Sequence, residues 1–306
     1  MDTALLLTQV LNGLQYGLLL FLLAGGLTLV FGILDVINLA HGAFFLMGAF
    51  VAAAITLTTG SFLLGILLAA IVAGLFGLIL EFAIVKHLYE MDHLDQVLAT
   101  FGILLCVDAA AHYIFGPAGI SIPLPAWLSG SFAFAGAELP AYRVFLVVSG
   151  VAIAVGLWLL LTRTRAGILI RAAASDRTMA EVLGIETKLV FAGLFAAGAL
   201  LAGLAGAFIV PITGATIGMG SQVVILAFVI IIIGGVGSMT GAFAASLIVG
   251  LIDTLGRAYL SDILKAVLPA DAASAAGPAI GAILIYLVMA VMLAFRPEGL
   301  FPPVRR

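Results

Sequence analysis

The sequence predicts an all-α integral membrane protein with about eight to nine transmembrane helices, two of them interrupted by glycine and polar residues. Three observations predict it. Of 306 residues, 64% are hydrophobic and only 9% charged, whereas a soluble domain carries about 25% charged residues. So few charges cannot cover a water-facing surface, and the mean hydropathy of +1.34 agrees. The apolar residues come in long unbroken runs, which lipid tolerates as helices because a helix satisfies its own backbone hydrogen bonds. Alternating runs are too few, and Tyr, Trp and charge too sparse, for an outer-membrane barrel.

A crossing needs about 20 apolar residues. The first run, roughly 5–33, follows "MDTALLLTQV", which lacks the basic start of a signal peptide and reads as a retained helix. Further runs lie at roughly 42–58, 62–85, 95–115, 143–161, 189–210, 222–236, 240–257 and 277–295. The chain breaks at "DVINLAHG" (35–42) and "IGGVGSMTG" (233–241), and the flanking runs 42–58 and 222–236 are short for a full crossing. Such breaks survive at membrane depth only where protein or a water cavity lines them. Both lead into the same tripeptide, Gly42-Ala43-Phe44 and Gly241-Ala242-Phe243. That shared context suggests a faint parallel repeat of two halves within one transmembrane domain spanning 1–306.

Basic residues orient the chain. Lys86, then Arg163, Arg165, Arg171, Arg177 and Lys188, then Arg296, Arg305 and Arg306 form three clusters. Placing all three inside leaves only Arg143, Arg257 and Lys265 outside, as the positive-inside rule prefers. An even number of crossings must then separate Lys188 from Arg296, so 222–257 is two segments turned at the glycines of 234–241. Counting back from Lys86 puts the N-terminus outside and the C-terminus inside. The outer loop 116–142 holds prolines and glycines that exclude a continuous helix, with Trp127 at headgroup level. It serves either as a docking surface for an external partner or as a compact cap.

The inner loop 162–188 contains "ASDRTMAEVLGIETK", polar and charged in an otherwise apolar chain. Thr178 and Glu181 fit a capping box, Asp176 also suits a helix N-terminus, and Gly184 is a natural residue just past a helix end. The stretch is a short, self-capped helix of about two turns. It either lies on anionic lipid or seats in a partner that moves it.

The surrounding "TRTRAGILIRAAASDRTMAEVLGI" resembles the cytoplasmic signature of bacterial ABC-importer permeases of the branched-chain amino acid type. Thr164, Gly167, Arg171, Ala172, Asp176, Ala180, Leu183, Gly184 and Ile185 carry the match. Three further motifs agree in order: "INLAHG" (37–42), "IGGVGSMTGA" (233–242) and "RPEGLF" (296–301), so the resemblance runs from about residue 10 to 302. Two positions depart from the family: Glu186 stands where Asn is usual, and Ala43 where many members have an acid.

The resemblance implies an ABC-importer permease fold in a multi-pass protein of the bacterial inner membrane. It also implies a second related permease, two cytoplasmic ATPase subunits and a periplasmic binding protein. The loop 162–188 becomes a coupling segment, with Glu181 added to the matching residues, and 116–142 a periplasmic loop. Substrates would be leucine, isoleucine and valine, with urea or short amides as the alternative. ATP and magnesium would sit on the partners, with no cofactor or catalytic residue on this chain.

Asn38, His41 and Gly42 on the first break, and Gly234, Gly235, Gly237, Ser238 and Gly241 on the second, are candidates to shape the passage. The polar pair Asn38 and His41 can instead satisfy backbone groups freed by the break. "GGVGSMTG" is no phosphate loop, since it lacks the lysine and any strand–turn–helix setting. Asp108 and His112, four apart, are expected to satisfy each other, as are Asp253 and Arg257; Glu81 is expected at the interface. The lone Cys106 excludes an internal disulfide. No metal-ligand spacing, nucleophile set or nucleic-acid footprint assembles. The rival class is an ion-driven transporter or channel, which broken helices and a buried Asp108 would suit; an embedded enzyme is disfavoured for want of paired acids.

Overall fold

A computed structural model describes residues 3–134 and 137–301. Met1, Asp2, Arg305 and Arg306, which enter the orientation argument, lie outside the described residues. Eleven α-helices follow one another: α1 (Thr3–Leu34), α2 (His41–Thr59), α3 (Phe62–Ala83), α4 (His93–Phe115), α5 (Ala141–Arg163), α6 (Arg165–Ser175), α7 (Arg177–Val182), α8 (Thr187–Thr213), α9 (Met219–Gly234), α10 (Met239–Leu264) and α11 (Ala270–Phe295). Each of the nine apolar runs is a helix, and both breaks fall where glycine and polar residues interrupt them.

Among the described residues eight helices are long and apolar enough to cross a membrane. At 19 residues α2 is one of them, which corrects the expectation that it is too short. With 16 residues α9 does fall short. At 1.5 Å per residue it spans about 24 Å, against a hydrocarbon core of about 30 Å. Most residues of α4, α5 and α11 are not buried within the protein; their apolar side chains match lipid, which explains why these runs are hydrophobic all round.

The loop 116–142 is more regular than its prolines suggest. A single 3-10 turn, Ala126–Leu128, is followed by an antiparallel hairpin of β1 (Ser131–Phe134) and β2 (Ala137–Pro140), in register Ser131↔Pro140 and Ala133↔Glu138. Trp127 is exposed and meets the ring of Phe145 edge-on at 5.7 Å. Nearer its start the loop is tied down at Ile120, whose N–H donates to Ala215 (2.9 Å) and whose carbonyl accepts from Ala215 (2.8 Å).

The chain forms two compact units, each drawing on both halves of the sequence. One comprises residues 1–21, 124–151 and 228–306. In it α10 packs on α11, with Gly277 against Ser261 and Gly281 against the backbone of Arg257. The start of α1 meets α10 along Gly13, Gly17 and Gly250.

The other unit comprises residues 22–123 and 152–227, with α2, α3 and α8 as its centre. Helices attract weakly in lipid unless their backbones approach closely, and small residues permit that. Here Gly48 lies against Gly203, Gly206 against the Phe45 carbonyl, and Gly77 against Ala199. Phe44, fully buried, fills the middle edge-on to Phe76 (6.0 Å) and Phe195 (5.8 Å). The two matching tripeptides do share a setting: each occupies the first turn of its helix, and each glycine abuts another, Gly42 on Gly220 and Gly241 on Gly234.

Gly206→Val therefore has no room and should lower the thermal unfolding midpoint of the purified protein by an amount worth about 1–3 kcal/mol or more. Gly102→Ala, facing open space in α4, should leave the midpoint unchanged or raise it.

Candidate functional site

The first break begins where Asp35 adopts φ 54°, a left-handed conformation that stops α1. The backbone beyond it is held from α4. Ile37 N–H donates to Gln96 Oε1 (3.1 Å) and Leu39 N–H to Thr100 Oγ1 (3.0 Å). Gln96 Nε2 also donates to the carbonyls of Leu88 (3.1 Å) and Met91 (3.2 Å), fastening the turn between α3 and α4. Both side chains are buried and sit one helical turn apart.

These contacts correct the expectation that Asn38 and His41 satisfy the freed backbone. His41 Nε2 does pair with the Leu23 carbonyl at 3.1 Å, and its ring stands edge-on to Phe44. Among the described residues His41 Nδ1 and both polar atoms of the Asn38 side chain have no partner, although both residues are fully buried. A primary amide without partners inside a protein costs several kcal/mol unless something polar visits it. Gly42 packs face to face with Gly220 at the start of α9.

The second break and the fourth motif form one structure. After α9 ends at Gly234, Gly235 (φ 103°) and Gly237 (φ 77°) reverse the chain. Ser238 then caps α10, its Oγ accepting from Gly241 N–H at 3.1 Å. The last carbonyls of α9 would be orphans, but Leu300 N–H donates to Ile233 O (2.9 Å) and Phe301 N–H to Gly234 O (3.0 Å). Gly299 rests directly on Gly235, where a side chain on either would collide with backbone. Thus "RPEGLF" is the cap of "IGGVG".

The polar loop divides into two helices. Thr164 caps α6, its Oγ1 accepting from Gly167 N–H at 3.2 Å and donating to the Leu160 carbonyl at 2.6 Å. Gly167 lies on the carbonyls of Leu160 and Leu161, and the Arg171 guanidinium donates to Leu161 O. These three residues make the corner between α5 and α6. Gly167, Ile170 and Ala173 form the buried stripe of α6.

The capping box is corrected: Asp176, not Thr178, caps α7, with Oδ1 accepting from Met179 N–H at 2.9 Å. Glu181 does not reach back, because it accepts from Thr187 Oγ1 and from Arg177 Nε (3.3 Å) instead. The other end is as expected. Gly184 (φ 85°) takes the left-handed position, Gly184 N–H reaches Glu181 O and Ile185 N–H reaches Ala180 O, both at 3.0 Å.

Most of the candidate coupling residues thus shape the α5–α8 connection, and Ala180 is buried against it. Leu183 is different, 74% exposed, next to Val182 (76%) and Met179 (54%). An apolar edge on a polar helix was the readable sign of Val182 and Met179, which sequence reasoning passed over. Glu186 is the N-cap position of α8 and makes no side-chain cap. Asn is among the residues preferred at such a position, and Glu186 supplies no such cap.

Two smaller expectations resolve, and a third residue gains a partner. Asp108 pairs with Gly218 N–H (2.7 Å), not with His112, which is exposed. Arg257 Nε does meet Asp253 Oδ1 at 2.8 Å. Glu81, near the end of α3, is 3% exposed, and Tyr89 donates to its Oε1. Burial, and then that carboxyl, push the Tyr89 phenol up, so it stays a donor. Among the described residues no three His, Cys, Asp or Glu side chains come together as metal ligands.

Eight membrane-length helices, glycine breaks held from inside and a doubly capped polar helix between spans define a multi-pass permease. The chain belongs to the family described as branched-chain amino acid transport system / permease component, whose sequence profile matches residues 9–293. It is similar to the high-affinity branched-chain amino acid transport system permease protein BraD of Pseudomonas aeruginosa, 29% identical over 96% of this chain and 95% of that protein. LivH of Escherichia coli K12, described in the same words, is 29% identical over 95% and 96%. A probable branched-chain amino acid transport permease protein LivH of Methanocaldococcus jannaschii is 30% identical over 80% and 79%. No solved structure matches significantly.

Thr187 first, and Arg177 second, hold the Glu181 carboxyl below its ordinary value of 4.5. Stability from these contacts is therefore complete above that value and fades as pH falls through the lower, folded-state value. The protection of amides 177–187 against hydrogen exchange, taken relative to the unstructured-peptide rate at the same pH, should fall under acid in the native chain. In Glu181→Gln the exchange should be faster at neutral pH and lack that acid step.

Proposed function

We propose that the chain is the transmembrane permease subunit of an ABC importer that carries branched-chain, hydrophobic amino acids inward across a bacterial inner membrane by alternating access. ATP and magnesium bind separate cytoplasmic ATPase subunits, a second related permease completes the pathway, and a periplasmic binding protein delivers the substrate. In this reading 162–188 faces the ATPases, 116–142 faces the periplasm, and the breaks at Asn38–Gly42 and Gly234–Gly241 border the passage. With the N-terminus periplasmic and the C-terminus cytoplasmic, the number of crossings is odd, so this reading counts the short α9 as a ninth crossing beside the eight longer helices.

One observation carries the reading. The short α7 is fixed at both ends by Asp176 and Gly184 and presents Met179, Val182 and Leu183 to the outside. A frayed helix would absorb a push, whereas a capped one anchored to α8 transmits it. The exposed apolar edge gives a motor subunit something to grip. The relatives BraD and LivH, described as branched-chain amino acid transport permeases, support the substrate class.

Asp176→Arg and Gly184→Pro should insert at normal levels yet lose most ATP-driven uptake of labelled leucine in cells that express the whole system. Equal uptake by both variants would contradict the coupling role. Uptake that collapses with the ion gradient while ATP remains would point to an ion-driven carrier instead.

A further inference from the structure

A cavity of about 440 Å³ opens beside α7, and its lining includes the charged Glu81, Lys86, Glu90 and Lys188, the imidazole of His87 and the ring of Phe82. Its size falls in the range of about 300–1,000 Å³ typical of small-molecule sites. Three features of the lining constrain what it holds.

Both signs of charge face it. Among the described residues Lys86, Lys188 and Glu90 take part in no ion pair, so they are not neutralising one another by direct contact. A carboxylate is buried at its wall: Glu81 receives Tyr89 on Oε1, while its Oε2 is buried without any partner. An orphaned carboxylate oxygen calls for a donor, best a cationic one. The third feature is apolar. Phe191 is buried, with Tyr89 edge-on at 6.1 Å and the Arg177 guanidinium 5.3 Å above its ring, and Phe82 adds a second face. A phosphate headgroup would suit the lysines and would set its charge against Glu81 and Glu90. A bare cation would suit the carboxylates and leave the lysines opposed.

We infer that this cavity binds a free α-amino acid with an apolar side chain, its ammonium on Glu81, its carboxylate on Lys188 and Lys86, and its side chain against Phe82 and Phe191. Arg177 opens α7 and Lys188 lies in the first turn of α8. A ligand bridging from Glu81 to these residues therefore ties the end of α3 to the helix that a motor would move. Resting on the transport reading above, which places this face in the cytoplasm, the site reports accumulated product and slows further import.

The test uses the purified full chain in phosphatidylcholine nanodiscs, with leucine by calorimetry and a diazirine analogue of leucine for crosslinking. Leucine should bind saturably. Isovalerate and isopentylamine, each carrying one of its charges, should bind about tenfold or more weakly. Crosslinks should map to the end of α3, to Tyr89 and to the start of α8. Glu81→Gln and the exposed Lys188→Gln should each weaken leucine about tenfold or more, the second without risk to folding. Absent binding, binding unchanged by Lys188→Gln, or crosslinks confined to other helices would overturn the proposal. Loss of leucine binding in phosphatidylglycerol nanodiscs, with lipid retained through Lys86 and Lys188, would overturn it in favour of a headgroup. In vesicles reconstituted with the ATPases, leucine on the ATPase side should slow native uptake several-fold and leave Lys188→Gln unaffected. Absence of any ATP-driven uptake would defeat the transport reading while the crosslinks still judged the site.

Discussion

Backbone polar groups have no water to turn to inside a bilayer, and this chain interrupts its helices twice. Each interruption strands N–H and C=O groups, and each is made tolerable by a distant part of the chain. Gln96 and Thr100 reach from α4 to the backbone between α1 and α2. Leu300 and Phe301, the end of the described chain, close the carbonyls of α9. Helix ends can therefore be packed against the protein's own helices, and glycine-on-glycine contacts such as Gly42 with Gly220 fit around them.

The same economy governs the polar loop. Thr164, Gly167 and Arg171 are spent on turning the chain out of α5, and Asp176, Glu181 and Gly184 on closing α7 at both ends. What remains for a partner is apolar and small, the edge of Met179, Val182 and Leu183. A signature that reads as a contact surface is mostly internal scaffold. Asn38 is the opposite case: buried on a break, it spends neither its donor nor its acceptor on the fold.

The spans were legible because lipid demands long apolar runs and glycine marks their interruption; all nine runs are helices, with α5 beginning only two residues before the expected start. Gly184 and the Asp253–Arg257 pair were legible because both are local. What escaped was non-local. Gln96 lies 59 residues from Ile37 and Thr100 61 from Leu39, and no local pattern joins "RPEGLF" to "IGGVG". Thr178 and Glu181 have the spacing of a capping box, yet Thr187 and Arg177 compete for Glu181 and Asp176 takes the cap. The partner of Glu81 escaped as well, because only the fold brings Tyr89 back over that carboxyl.

The most direct test replaces Gln96 by Leu and Thr100 by Val, shapes close to the originals without the hydrogen bonds. Each change leaves a partly buried backbone N–H without its side-chain partner, at a cost of up to about 1–3 kcal/mol. Thr162→Val is the control, since the Thr162 hydroxyl bonds only within its own helix, to Trp158 O. If the break is held from α4, the thermal unfolding midpoint of the purified permease falls for Gln96→Leu and Thr100→Val and stays put for Thr162→Val. Three indistinguishable midpoints would contradict it.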